Sequence, residues 1–197
     1  MPPEERPGVG MSRETITSMT VVTGDFDLTM DELRCVTRFV AECAQTVLPA
    51  FEEAHPGDSR PRAAIDAAWE FVHGAARTKR QRVTSLDAHR AAKESTSEIA
   101  RLAARSAGDA ASAAYLHPIA QAGQVGHILR ADASAARIAE IQAGGDATVG
   151  SRVIEDARQR ATPIVIDVLH RYPAAPAAKN RVSQLMAVLD TSLRANN

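Results

Sequence analysis

Apolar residues along most of this chain recur at intervals of three and four, and no long run alternates with period two. That spacing predicts helices. Met30, Leu33, Val36, Val40, Cys43, Val47 and Leu48 share one face behind a Thr29–Glu32 capping box, with a kink or restart expected at Pro49. A second helix takes Asp58 or Ser59 as its cap, buries Ile65, Ala68, Trp69 and Val72, and stops at Gly74. The third, TKRQRVTSLDAHRAAKES, is the most polar and is placed outermost. The fourth, capped by Ser95 or Thr96, carries alanines and Gly108 that permit close helix–helix approach. The fifth starts at HPIAQAGQVGHILR, with Pro118 in its first turn, and runs to Gly144–Gly145. The sixth kinks at Pro163, and the seventh starts from an Asn180 cap. The expected fold is an all-α, single-domain bundle of about seven helices. Residues 1–24, rich in Pro, Gly, Ser and Thr, are read as a flexible N-terminal arm before an all-helical domain at 25–197. Within the arm, TSMTVVTGDF has the makings of a short strand.

Composition narrows the function classes. A formal net charge of −1 and 4% aromatic residues give no basic field and no base-stacking platform, so neither nucleic acid nor an anionic membrane is expected as a partner. Cys35 and Cys43, eight residues apart on one helix, stand about 12 Å apart along its axis and cannot bridge. With no disulfide framework and no apolar run of membrane-spanning or signal-peptide length, the chain reads as cytoplasmic.

The most informative local pattern is the polar band of the fifth helix. At about 100° per residue, His117, Gln121, Gln124 and His127 fall on one side of an otherwise apolar or glycine-rich surface. They either bond between helices or line a ligand pocket. His117 and His127 are too far apart to share a metal ion, and HExxH, CxxC and di-iron spacings are absent, so no metal and no cofactor is expected. The same two histidines are the candidate catalytic residues of a cofactor-independent acid–base enzyme. Arg60 and Arg62 sit at a helix N-terminus against the macrodipole and call for an acidic partner, in Asp58, in Asp66, on another helix or on a ligand. The RTKRQR run at 77–82 reads as a solvated face.

The stretches DELRCVTRFVAECAQTVLPAFEEAHPGDSRPRAAIDAAW, DAHRAA, AARSAG and HPIAQAGQVGHIL together resemble a bacterial all-helical immunity-protein family linked to polymorphic toxin systems. The likeness runs from about Asp31 to Leu193. It implies a cytoplasmic binding protein that neutralises a toxin or small-molecule partner through a polar His/Gln/Arg-lined site, with a homodimer as one form. Carried over by motif, the positions to follow are Arg60, Arg62, His89, His117, Gln124 and His127, with Asp58, Pro61, Trp69, Arg90, Arg105 and Tyr172 beside them; Gln121 joins them from the polar band. Where the family has Gly-His, this chain has Gly108–Asp109, so no family role transfers to position 109. The alternative is a small cofactor-independent enzyme of a biosynthetic cluster. A neighbouring toxin gene, or a deep pocket ending on His117 and His127, separates the two.

Overall fold

The computed structural model describes residues 21–176 and 179–195. Two short strands, β1 (Val21–Val22) and β2 (Leu28–Thr29), pair antiparallel with Val21 opposite Thr29 and Val22 opposite Leu28. Eight α-helices follow among the described residues: α1 (Met30–Ala54), α2 (Arg60–Val72), α3 (Lys79–Glu94), α4 (Glu98–Ala113), α5 (Val125–Gln142), α6 (Ala147–Arg160), α7 (Pro163–His170) and α8 (Arg181–Arg194). The expected all-α bundle is what forms. Of the arm expected over residues 1–24, residues 1–20 lie outside the described residues, and Val21–Val22 forms the strand edge.

Local chemistry accounts for most boundaries. The Thr29–Glu32 capping box is present, with the Glu32 N–H donating to Thr29 Oγ1 at 3.1 Å and the Thr29 N–H to Glu32 Oε2 at 2.7 Å. Asn180 Oδ1 accepts from the Ser183 N–H at 3.0 Å. α1 runs through Pro49 without ending. The cap of α4 is Ser97 rather than Ser95 or Thr96, and Ser59 makes no side-chain cap bond. At Pro163 the expected kink is a full break: α6 ends at Arg160 and α7 restarts under a Thr162 cap, which raises the helix number from seven to eight.

The largest correction concerns residues 117–124. The expected fifth helix does not begin at Pro118; a single 3-10 turn at Ala122–Gln124 leads into α5 at Val125. Tertiary bonds hold the preceding segment extended: the Asp25 N–H donates to the Pro118 carbonyl at 2.8 Å, and the Ala120 N–H to Asp25 Oδ2 at 2.7 Å. Gly24 packs so close that a Cβ there would stand 2.3 Å from the Pro118 oxygen.

Two alanine-rich helices form the centre. α4 packs on α1, α2, α3 and α5, and α5 packs on α1, α4, α6 and α8. Ala100, Ala103, Ala104, Ala107, Ala110 and Ala111 of α4 are fully buried. Small side chains let neighbouring backbones approach and leave thin walls around any larger group placed between them. Larger anchors such as Leu33, Leu48, Phe51, Phe71 and Ile128 fill the rest of the core. Trp69 is only partly buried, its indole N–H donating to Gln45 Oε1 at 2.8 Å and its ring stacking on His73.

Candidate functional site

Arg101, Arg105, Asp109 and Ser112 succeed one another at three- and four-residue intervals on α4, so they share the face turned toward α3 and α5. Asp109 lies at its centre, wholly buried in an alanine-rich helix. An isolated buried carboxylate is too costly to keep unpaired, and Arg130 of α5 answers it with two bonds. Its Nε donates to Oδ2 at 2.8 Å and its Nη2 to Oδ1 at 2.7 Å, a bidentate pair. Two imidazoles flank the pair: His89 Nε2 of α3 is 3.9 Å from Asp109 Oδ1, and His127 Nδ1 is 3.7 Å from the same oxygen. Both distances lie beyond hydrogen-bond range, so Arg130 alone bonds the carboxylate directly.

Glycine makes the cluster fit. A Cβ on Gly108 would lie 2.8–2.9 Å from three atoms of the His89 ring, so the imidazole rests on bare backbone. The Gly108 carbonyl meanwhile accepts from Ser85 Oγ at 2.8 Å. On α5 the space beside Gly126 holds the Arg130 guanidinium, whose Nη1 would be 3.1 Å from a Cβ there. The glycine thus gives the arginine room rather than the neighbouring His127 ring.

The electrostatics follow from this packing. Burial raises the Asp109 carboxyl, but hydrogen bonds and charge from Arg130, with His127 and His89 nearby, outweigh it and hold the group at about 2. Burial depresses His89 and leaves it neutral near pH 7, against the pull of Asp109. Arg105 is depressed by burial and by the like charges of Arg130 and Arg101. Neither the Arg101 nor the Arg105 side chain has a hydrogen-bond or ion-pair partner among the described residues, and neither does the Lys93 ammonium.

These unpaired cations line a continuous groove. One cavity of about 480 Å³ lies among Leu86, His89, Lys93 and Arg101, Arg105, Arg130, between α3, α4 and α5. A second, of about 570 Å³, shares those three arginines and extends to Arg137, Arg181, Val182 and Met186 on the α5 and α8 side. Arg137 and Arg181 are already tied to Glu98 and Glu140. The free positive charge is therefore concentrated on Lys93, Arg101 and Arg105.

The sequence-derived candidates separate into three places. His89 and His127 come together at Asp109. His117, Gln121 and Gln124 belong to the extended segment and the 3-10 turn: the His117 N–H donates to Gln124 Oε1 at 3.2 Å, the His117 carbonyl accepts from Tyr172 Oη at 2.9 Å, and Gln121 is exposed. Gln124 therefore holds a loop and does not orient His127. Arg60 and Arg62 carry the expected ion pairs, Arg60 with Asp58 at 2.7 Å and Glu94 at 2.6 Å, and Arg62 with Glu52 at 2.7 Å. In the basic run, Arg77 and Arg82 bracket the Tyr115 ring and Arg80 pairs with Glu70.

As acid–base machinery the arrangement is poor. His127 turns Nδ1 toward both Ser112 Oγ, at 3.1 Å, and Asp109, so its ring does not link a nucleophile on one nitrogen to a carboxylate on the other. No group of three or more His, Cys, Asp or Glu among the described residues is placed to hold a metal ion. Among the described residues, no helix is long and apolar enough to cross a membrane. What the groove offers is fixed positive charge beside apolar surface, suited to holding an anionic group.

Asp109, Arg130 and Arg101 escaped the sequence reading. The available signal was one carboxylate inside AARSAGDAASAA, flanked one and two turns earlier by arginines. A charge in a segment of such small residues needs a partner from another helix.

Comparison with known proteins places this geometry in a family. The model of the Imm-5 like putative immunity protein matches residues 28–160, about two thirds of the chain, and spans α1 to α6 with the Asp109 cluster. No curated protein and no solved structure matches the chain. The chain belongs to the Imm-5 like putative immunity protein family.

Proposed function

We propose that this protein neutralises a toxin by binding it, with the cationic groove over α3, α4, α5 and α8 as the docking surface and an acidic segment of the toxin as its counterpart. The observation that carries the reading is that Arg101, Arg105 and Arg130 line one groove together, with the buried Asp109 bonded to Arg130 alone among them. Arg130 is neutralised by Asp109, whereas Arg101 and Arg105 have no ion-pair partner among the described residues. Their mutual repulsion is relieved when an anionic surface arrives, which favours the bound state and accelerates encounter. The apolar floor provided by Leu86, Leu102 and Met186 adds contact area beneath the charges.

The test is co-expression with candidate toxins of polymorphic toxin systems, paired with a titration of the purified proteins. Arg101→Glu/Arg105→Glu should abolish growth protection and weaken binding by at least about a hundredfold, the effect of losing close charge pairs. The melting temperature should stay at the wild-type value, because both side chains lack internal partners. Undiminished protection by the double variant would refute the groove as the docking surface.

A further inference from the structure

On α1, α5 and α6 the charge pattern reverses. A cleft of about 450 Å³ is walled by Glu42, Cys43, Asp132, Asp156 and Arg160, with Ala135, Val153 and Ala157 as its apolar side. Arg160 is fully engaged: Nη2 donates to Asp132 Oδ1 at 2.5 Å, Nη1 to the Phe39 carbonyl at 2.6 Å and to Glu42 Oε2 at 3.1 Å, and the guanidinium lies 4.2 Å from the Phe39 ring centre. Three carboxylates thus face one cation. Asp156 has no ion-pair partner among the described residues. The second oxygen of Asp132, on a side chain only 3% exposed, receives no N–H or O–H donor among the described residues. Besides Arg160, the side chain that meets this carboxyl is the adjacent Cys43 thiol, and a thiol is only a weak donor. A buried acceptor left this way is rare and calls for a partner.

We propose that this cleft binds a small alkylammonium ion, whose charged nitrogen donates to Asp132 Oδ2 and faces Glu42 and Asp156 while its hydrocarbon body lies on Ala135, Val153 and Ala157. An ammonium supplies three donors from one point, which suits an orphan oxygen among several carboxylates. The cleft volume far exceeds the roughly 30 Å³ share of a single water, and it falls in the range of small-molecule sites. Thr46, whose hydroxyl donates to the Cys43 carbonyl at 2.8 Å, presents its oxygen lone pairs at the rim as a further acceptor. Burial drives the Asp132 carboxyl upward, and an arriving cation offsets that cost.

The experiment titrates n-butylammonium chloride into the full chain and follows amide and methyl resonances, with n-butanol as the uncharged match. The expected result is saturable shifts at Ala135, Val153 and Ala157 with the amine and none with the alcohol. Asp132→Asn should remove the shifts. Asp156→Asn, at the exposed rim, should weaken binding about tenfold, the loss of one charge partner, with an unchanged melting temperature. Absence of saturable amine shifts, equal response to butanol, or wild-type affinity in Asp156→Asn would each overturn the assignment. Because Asp156 takes no part in internal pairing, that variant decides the matter even where Asp132→Asn disturbs the fold.

Discussion

Asp109 and Asp132 are both carboxylates buried on the inner helices, each facing one arginine, yet they occupy opposite electrostatic states. Asp109 receives two donors from Arg130 and lies near two imidazoles, and its carboxyl is held at about 2. Asp132 receives one donor from Arg160, leaves an oxygen without a partner, and is pushed upward by burial. Depth is similar; satisfaction is not. A buried charge is stabilised by the number and aim of its donors rather than by the mere presence of an opposite charge.

Substitution should separate the two sites most sharply. Asp109→Ala strands Arg130 beside Arg105 and should cost about 3–5 kcal/mol in denaturant unfolding. Asp132→Asn should cost no more than about 1 kcal/mol, since the amide oxygen still accepts from Arg160 and a poorly solvated charge disappears. Equal losses in the two variants would break the comparison.

Gly108→Ala is the next largest effect. The added methyl meets the face of His89, and overpacking of this kind costs about 1–3 kcal/mol. The accompanying sign is a displaced His89 resonance in the variant. An unperturbed imidazole would mean that the ring does not rest on the Gly108 backbone.

Acid titration gives the smallest but most specific difference. Asp109 is depressed in the folded chain, so its contribution is complete above the ordinary carboxylate pKa of about 4 and is lost as the pH falls toward about 2. Asp132 is raised, so its contribution is present at low pH and lost as the pH rises through its elevated value. Unfolding free energies measured across the acid range should therefore lose their steep limb in Asp109→Asn and keep it in Asp132→Asn.

Much of the architecture was legible because it is written locally. The Thr29–Glu32 box, the Asn180 cap and the three-four apolar spacing act within one or two turns, and the structure repeats them. Pro163 was recognisable as an interruption, though spacing alone does not distinguish a kink from two helices. Residues 117–124 misled the pattern because Asp25, distant in sequence, holds them: its side chain accepts the Ala120 N–H, 95 positions away, and its backbone N–H takes the Pro118 carbonyl that a helix would have used. The site divides along the same line. His127 stood out as a polar residue on an apolar helix, His89 came only with the family motif, and the ion pairs of Arg60 and Arg62 followed from their unfavourable place at a helix start. Arg130 and Asp109 did not, because each is explained only by the other. The free charge of Arg101 and Arg105 is a statement about missing partners, which no single helix reveals.

The strap formed by residues 21–29 has a mechanical consequence. Through Asp25 and Gly24 it is fastened to Pro118 and Ala120, in the middle of the sequence, before the chain enters α1. A pull on the chain at Val21 is therefore borne by that mid-chain turn as well as by the β1–β2 pairing, and the load reaches the entrance of α5 ahead of α1. Anything tethered to the N-terminal side of residue 21 hauls on the helix that holds His127 and Arg130.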